Sequence, residues 1–131
     1  MKTLIVEDEL TSRLMLQGVL SGKGECHTAV TGEEAVEAFR RAIVSGQPYD
    51  LVCMDIKMSG IDGVEAVRQI RQIEENHGVR STEGTKILMA TADGTPGGIF
   101  QSFNAWCDAY FVKPIDAAKL IEKLRQMQLP V

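Results

Sequence analysis

Five side chains in this sequence could do chemistry together: Glu7, Asp8, Asp55, Thr91 and Lys113. Each follows a short apolar run. Leu4-Ile5-Val6 leads into Glu7-Asp8, Asp50–Met54 into Asp55, Ile87–Ala90 into Thr91, and Tyr110–Val112 into Lys113-Pro114. Singly they carry little weight. An Asp after a strand is usually a turn residue or a helix cap, and Glu7-Asp8 could simply favour the positive end of a following helix. Brought to one place, three carboxylates repel one another unless a cation lies among them. All-oxygen ligation suits a hard ion such as Mg²⁺, with Mn²⁺ as an alternative. One carboxylate is then a nucleophile toward a phosphoryl group, giving an aspartyl phosphate. Lys113 would supply an ammonium and Thr91 a hydroxyl to the phosphoryl oxygens.

The surrounding pattern predicts the elements that must position them. Leu10, Leu14, Val19 and Leu20 recur at helical spacing over 10–20. A weaker strand lies over Cys26–Val30. Thr31-Gly32-Glu33-Glu34 is a capping-box pattern and opens a helix with Ala35, Val36, Phe39, Ala42 and Ile43 on its apolar face. Asp50–Met54, continuously apolar behind one acid, reads as a central strand covered on both faces. A loop with Gly60 and Gly63 precedes a helix carrying Val64, Val67, Ile70, Arg71 and Ile73. The polar stretch Glu74–Thr85 reads as a loop or a frayed helix end. A fourth helix is expected from Pro96 to about Trp106, with Ile99, Phe100, Phe103 and Trp106 as its stripe. Gly97 and Gly98 weaken it by about 1 kcal/mol each. Ala109–Val112 is the fifth strand, and a fifth helix runs from its cap Asp116 to Met127. Five strand–helix repeats predict an α/β fold of flavodoxin-like topology: a doubly wound, five-stranded parallel sheet between two layers of helices. Ligands of such sheets sit beyond the carboxyl ends of the strands, where the five side chains converge.

Composition sets outer bounds. The chain has 131 residues, 44% hydrophobic and 24% charged, which fits one soluble domain over 1–131. The net charge of −4, with no block of Lys or Arg, argues against nucleic-acid binding. No apolar run approaches the ~20 residues that cross a bilayer, and the N-terminus turns acidic too early for a signal peptide. Cys26, Cys53 and Cys107 are odd in number and form no CxxC pair. Reduced thiols fit a cytoplasmic protein.

The segments Leu4–Glu9, Asp50–Met58, Gly60–Gly63, Met89–Ala92 and Tyr110–Pro114 together resemble the response-regulator receiver family, the CheY-like domains of two-component signalling. The resemblance covers essentially the whole chain. It implies that Asp55 accepts phosphate from a phosphohistidine of a sensor histidine kinase or a histidine phosphotransfer protein. Asp8, Asp55 and the backbone carbonyl of Lys57 would ligate Mg²⁺, with Glu7 acting directly or through water. Thr91 and Lys113 would bind the phosphoryl oxygens, and Tyr110 would turn inward as Thr91 moves. Lys113-Pro114 would be a cis peptide. The face made by the fourth helix, fifth strand and fifth helix would signal to a downstream protein or output domain. Such a domain is a switch that catalyses only its own phosphoryl transfer and autodephosphorylation, as a monomer or a weak phosphorylation-dependent dimer.

Three positions depart from the family's common pattern. Ser59 stands where a proline is usual, Trp106 where a small residue is common, and Glu74–Thr85 is longer than usual. Lys57 and Asp93 lie two residues after Asp55 and Thr91. They are expected at the rim as a pair that hinders the hydrolytic water and lengthens the phosphate's lifetime; two exposed charges worth ~0–1 kcal/mol are the alternative. A flavodoxin-like electron carrier would need a Ser/Thr/Gly-rich loop where Glu7-Asp8-Glu9 stands. An aspartate-nucleophile phosphatase would need an acid where Lys57 stands.

Overall fold

The run of apolar strands assembles into one parallel sheet. In the computed structural model, which describes residues 1–80, 83–91 and 106–131, the strands are β1 (Thr3–Val6), β2 (Cys26–Ala29), β3 (Leu51–Asp55), β4 (Lys86–Thr91) and β5 (Ala109–Val112). Their order is β2-β1-β3-β4-β5. Every residue of β1 and β3 is buried, which is why Leu4–Val6 and Leu51–Met54 are apolar without alternation. His27 and Thr28 of the edge strand β2 are exposed. The chain leaves β1 for the β2 edge, then crosses back to β3, so the direction of winding reverses between β1 and β3. That reversal opens a crevice at their carboxyl ends.

The described helices are α1 (Leu10–Leu20), α2 (Gly32–Val44), α3 (Gly63–Asn76) and a C-terminal helix (Ala117–Gln126). Three of them start on a side-chain cap: Thr31, Asp62 and Asp116 accept from the backbone N–H of Glu34, Glu65 and Lys119. Alternate strand residues feed two cores. Leu4, Val6, Val52, Met54, Ile87 and Met89 pack with Phe39, Val67 and Ile70 of α2 and α3. Ile5, Leu51, Cys53 and Leu88 pack with Leu16, Leu20, Leu120 and Leu124 on the opposite face. No helix among the described residues is long and apolar enough to cross a membrane.

Two expectations need correction. Leu20 is buried as its spacing suggests, but Leu10 and Leu14 do not face the core; they are 59% and 56% exposed, and Leu16 is buried instead. Apolar residues occupy so many positions of α1 that spacing alone fits more than one face. Of the two readings of Glu74–Thr85, the helix end holds at its start, but without fraying at Glu74: α3 continues to Asn76 and Glu74 is buried. Arg71 makes that burial tolerable, because it donates to Glu74 at 2.7 Å, to the carbonyls of Thr85 and Trp106, and to Asp108. The expected fourth helix, apart from Trp106, lies outside the described residues.

Candidate functional site

The register of the sheet builds the site. Val6 pairs with Met54, so Glu7 and Asp55 come next, side by side, on neighbouring strands. Glu7 is 1% exposed and Asp55 6%, whereas Asp8 is exposed. One carboxylate oxygen from each of Glu7, Asp8 and Asp55 lies within 4.8 Å of the others. Asp55 pairs with Ala90, whose carbonyl accepts from the N–H of Ile56 at 3.0 Å. Thr91, buried, is one residue further along β4 and stands at the same edge. Its carbonyl accepts from the N–H of Lys113 at 2.7 Å, just before the cis Lys113–Pro114 peptide.

Lys113 closes the group. Its Nζ donates to Glu7 Oε2 at 2.7 Å and lies 3.4 Å from Asp55 Oδ1. The other Glu7 oxygen accepts from the N–H of Glu9 at 3.1 Å, and the Glu7 carbonyl accepts from Arg13 Nη1 at 3.0 Å. The corner between β1 and α1 is therefore fixed at both its side chain and its backbone. Lys57 is exposed in the loop after Asp55. Tyr110, half-buried on β5 opposite Met89, packs against the core on the α2–α3 side. Asp93 lies outside the described residues, and so does its expected pairing with Lys57.

Electrostatics follow from this geometry. Burial pushes the Asp55 carboxyl up, the negative charge of Glu7 adds to that, and Lys113 only partly offsets both; the result is a pKa of about 6. Burial works against the charge of Lys113. Its hydrogen bond to Glu7 and the nearby charge of Asp55 outweigh that and raise its pKa. Three carboxylates and one ammonium leave an excess of negative charge among oxygen donors, with Asp8 at the solvent side. A hard divalent cation fits that donor set.

Two polar contacts of this region are not evident from sequence. Arg13 sits on α1 with nothing in its spacing to mark it. Glu33, which reads as an ordinary first-turn acid of α2, accepts from the N–H of Ile61 in the loop after Asp55.

Comparison with known proteins gives a consistent picture. A family model described as the response regulator receiver domain matches residues 3–125. The chain is similar to the transcriptional regulatory protein ResD of Bacillus subtilis, 31% identical over 126 residues that cover 96% of this chain and 47% of ResD. It is similar to the chemotaxis protein CheY of Thermotoga maritima, 28% identical over 128 residues and 96% of each chain. Among solved structures it resembles the response regulator TrrA of Thermotoga maritima in complex with Mg²⁺ and BeF, with 33% identity, a TM-score of 0.74, and coverage of 96% of this chain and 97% of that one. The chain thus spans about half the length of ResD.

Proposed function

The chain belongs to the response regulator receiver domain family of two-component systems, and on that premise we propose that Asp55 is its phosphoryl acceptor. Glu7, Asp8 and the Lys57 carbonyl would hold Mg²⁺ together with Asp55, and Mn²⁺ could replace it. The observation that carries the reading is Lys113 standing between Glu7 and Asp55 at the switch point of the sheet.

Asp55 attacks the phosphorus of a phosphohistidine presented by a histidine kinase or phosphotransfer protein. The new O–P bond forms as the P–N bond breaks, and the imidazole nitrogen keeps the electron pair. Packing at the end of β3 holds the carboxylate in place and limits the water around it, so its charge is poorly solvated before reaction. Lys113 and Thr91, at the ends of the neighbouring strands, supply an ammonium and a hydroxyl to the transferred oxygens. Bound Mg²⁺ supplies neutralisation of the crowded carboxylates and of the phosphoryl charge.

The output is a change of surface. Thr91 is joined to β5 both by its pairing with Val112 and by its carbonyl bond to Lys113. A shift of Thr91 toward the phosphate would therefore reach Tyr110 and the surface of β5 and the C-terminal helix. The domain, a single receiver unit over 1–131, would act by protein contacts rather than by turnover of an external substrate. It would do so in the cytoplasm, as a monomer or a weak phosphorylation-dependent dimer. The test is incubation with Mg²⁺ and phosphoramidate followed by intact mass measurement. A gain of about 80 Da, one phosphoryl group, is expected for the wild type and not for Asp55→Ala or in EDTA. An equal gain in Asp55→Ala would overturn the assignment.

A further inference from the structure

The loop between β3 and α3, residues 56–62, must do more than connect. In the proposed metal set it carries the one backbone ligand, the carbonyl of Lys57. A carbonyl ligand is only as well placed as the backbone that bears it.

Local bonds secure the two roots of this loop. The N–H of Ile56 donates to Ala90 at 3.0 Å, that of Gly63 donates to the Ile56 carbonyl at 2.8 Å, and Asp62 caps α3 through the N–H of Glu65 at 2.9 Å. The outer part is held from another element. The N–H of Ile61 donates to Glu33 Oε1 at 2.8 Å, across 28 residues of chain, from the first turn of α2. Two glycines clear the way. The Glu33 carboxylate occupies the space that a Cβ on Gly60 would fill, and Gly60 has φ +80°, a left-handed value that suits glycine. A Cβ on Gly32 would in turn meet the side chain and carbonyl of Ile61. The first turn of α2 and the loop thus meet at backbone distance, with Glu33 as the hydrogen-bonded tie. Ser59 gives this loop none of the restriction on φ that a proline would, so an external tie has more to hold.

We infer that Glu33 is a positioning residue for the phosphorylation site: by holding Ile61 from α2 it sets the course of the loop that presents the Lys57 carbonyl beside Asp55. The inference rests on the reading of Lys57 and the acids as a Mg²⁺ site, and the test separates the two.

The test measures Mg²⁺ affinity of the unphosphorylated protein by amide chemical shifts, together with hydrogen exchange at the Ile61 amide. Glu33→Ala removes the acceptor and should weaken Mg²⁺ binding by roughly fivefold to tenfold, with faster exchange at Ile61, as expected for the loss of one charge-assisted hydrogen bond. Glu33→Gln keeps a carbonyl acceptor and should restore both to within about twofold of wild type, because a neutral acceptor retains much of the bond. Glu34→Ala removes the same charge from the same helical turn without touching the loop, and should leave both unchanged. Wild-type affinity in Glu33→Ala would overturn the proposal. So would an equal loss in Glu33→Gln and Glu34→Ala, since that pattern reports charge and not position. Asp8→Ala should bind Mg²⁺ far more weakly whatever the role of Glu33; unchanged binding there would sink the metal-site reading itself.

Discussion

Lys113 donates a 2.7 Å hydrogen bond to Glu7, a residue 106 positions away in sequence and 1% exposed. The same ammonium lies 3.4 Å from Asp55. One cation therefore serves two buried acids, and removing it leaves both without a countercharge. Lys113→Met should lower the stability of the metal-free protein at neutral pH by about 2–3 kcal/mol, somewhat less than a fully buried pair because the lysine side chain is partly solvated. Urea unfolding in EDTA measures this, and saturating Mg²⁺ should restore part of the loss. A change below about 0.5 kcal/mol, the level of an ordinary surface substitution, would contradict the account.

The raised pKa of Asp55 makes a prediction about pH. Its folded value of about 6 lies above the ordinary 3.8 of an aspartate. The folded state therefore binds this proton more tightly than the unfolded state does. The resulting stabilisation is fully present below about pH 4 and is lost as pH rises through about 6. Asp55→Asn removes the charge, so in EDTA it should be more stable than wild type by about 1–2 kcal/mol at pH 8, with the gain fading toward pH 4. Urea unfolding of both proteins across that range is the check. A difference that does not vary with pH would show that the ionised carboxylate is not the source of strain.

Away from the site, Arg71 holds the end of α3 to the strands. It bonds Glu74, Asp108 and the carbonyls of Thr85 and Trp106, and Glu74 also accepts from the N–H of Thr85. Arg71→Met should cost about 3–5 kcal/mol, because Glu74 is left buried without its cation. Combining it with Glu74→Met should recover much of that loss. Purely additive losses in a double-mutant cycle would mean the two residues act independently.

The parts legible in sequence were those fixed by short-range rules or by the regularity of a parallel sheet. Thr31 and Asp116 were readable as caps because a cap bonds within three residues. Glu7 and Asp55 could be brought together because neighbouring parallel strands carry their ends to one edge, and the Val6–Met54 pairing does that here. What remained hidden depends on tertiary contact. The burial of Glu74 follows from Arg71, which in turn needs carbonyls at residues 85 and 106. The exposure of Leu10 and Leu14 depends on how α1 rolls against β1, and Leu10, Leu14, Met15, Leu16, Val19 and Leu20 are spread widely enough round the helix to satisfy more than one roll. The bond between Glu33 and Ile61 depends on the path of a loop with no periodicity at all.

Asp55 itself is the proposed carrier of the phosphoryl group. Borohydride reduces an aspartyl phosphate to homoserine and leaves free aspartate untouched, so it marks the acceptor permanently. After phosphorylation with Mg²⁺ and phosphoramidate, reduction and peptide mapping should find homoserine at position 55, and none in samples kept in EDTA. Homoserine at Asp8 or another acid, with Asp55 unchanged, would contradict the account.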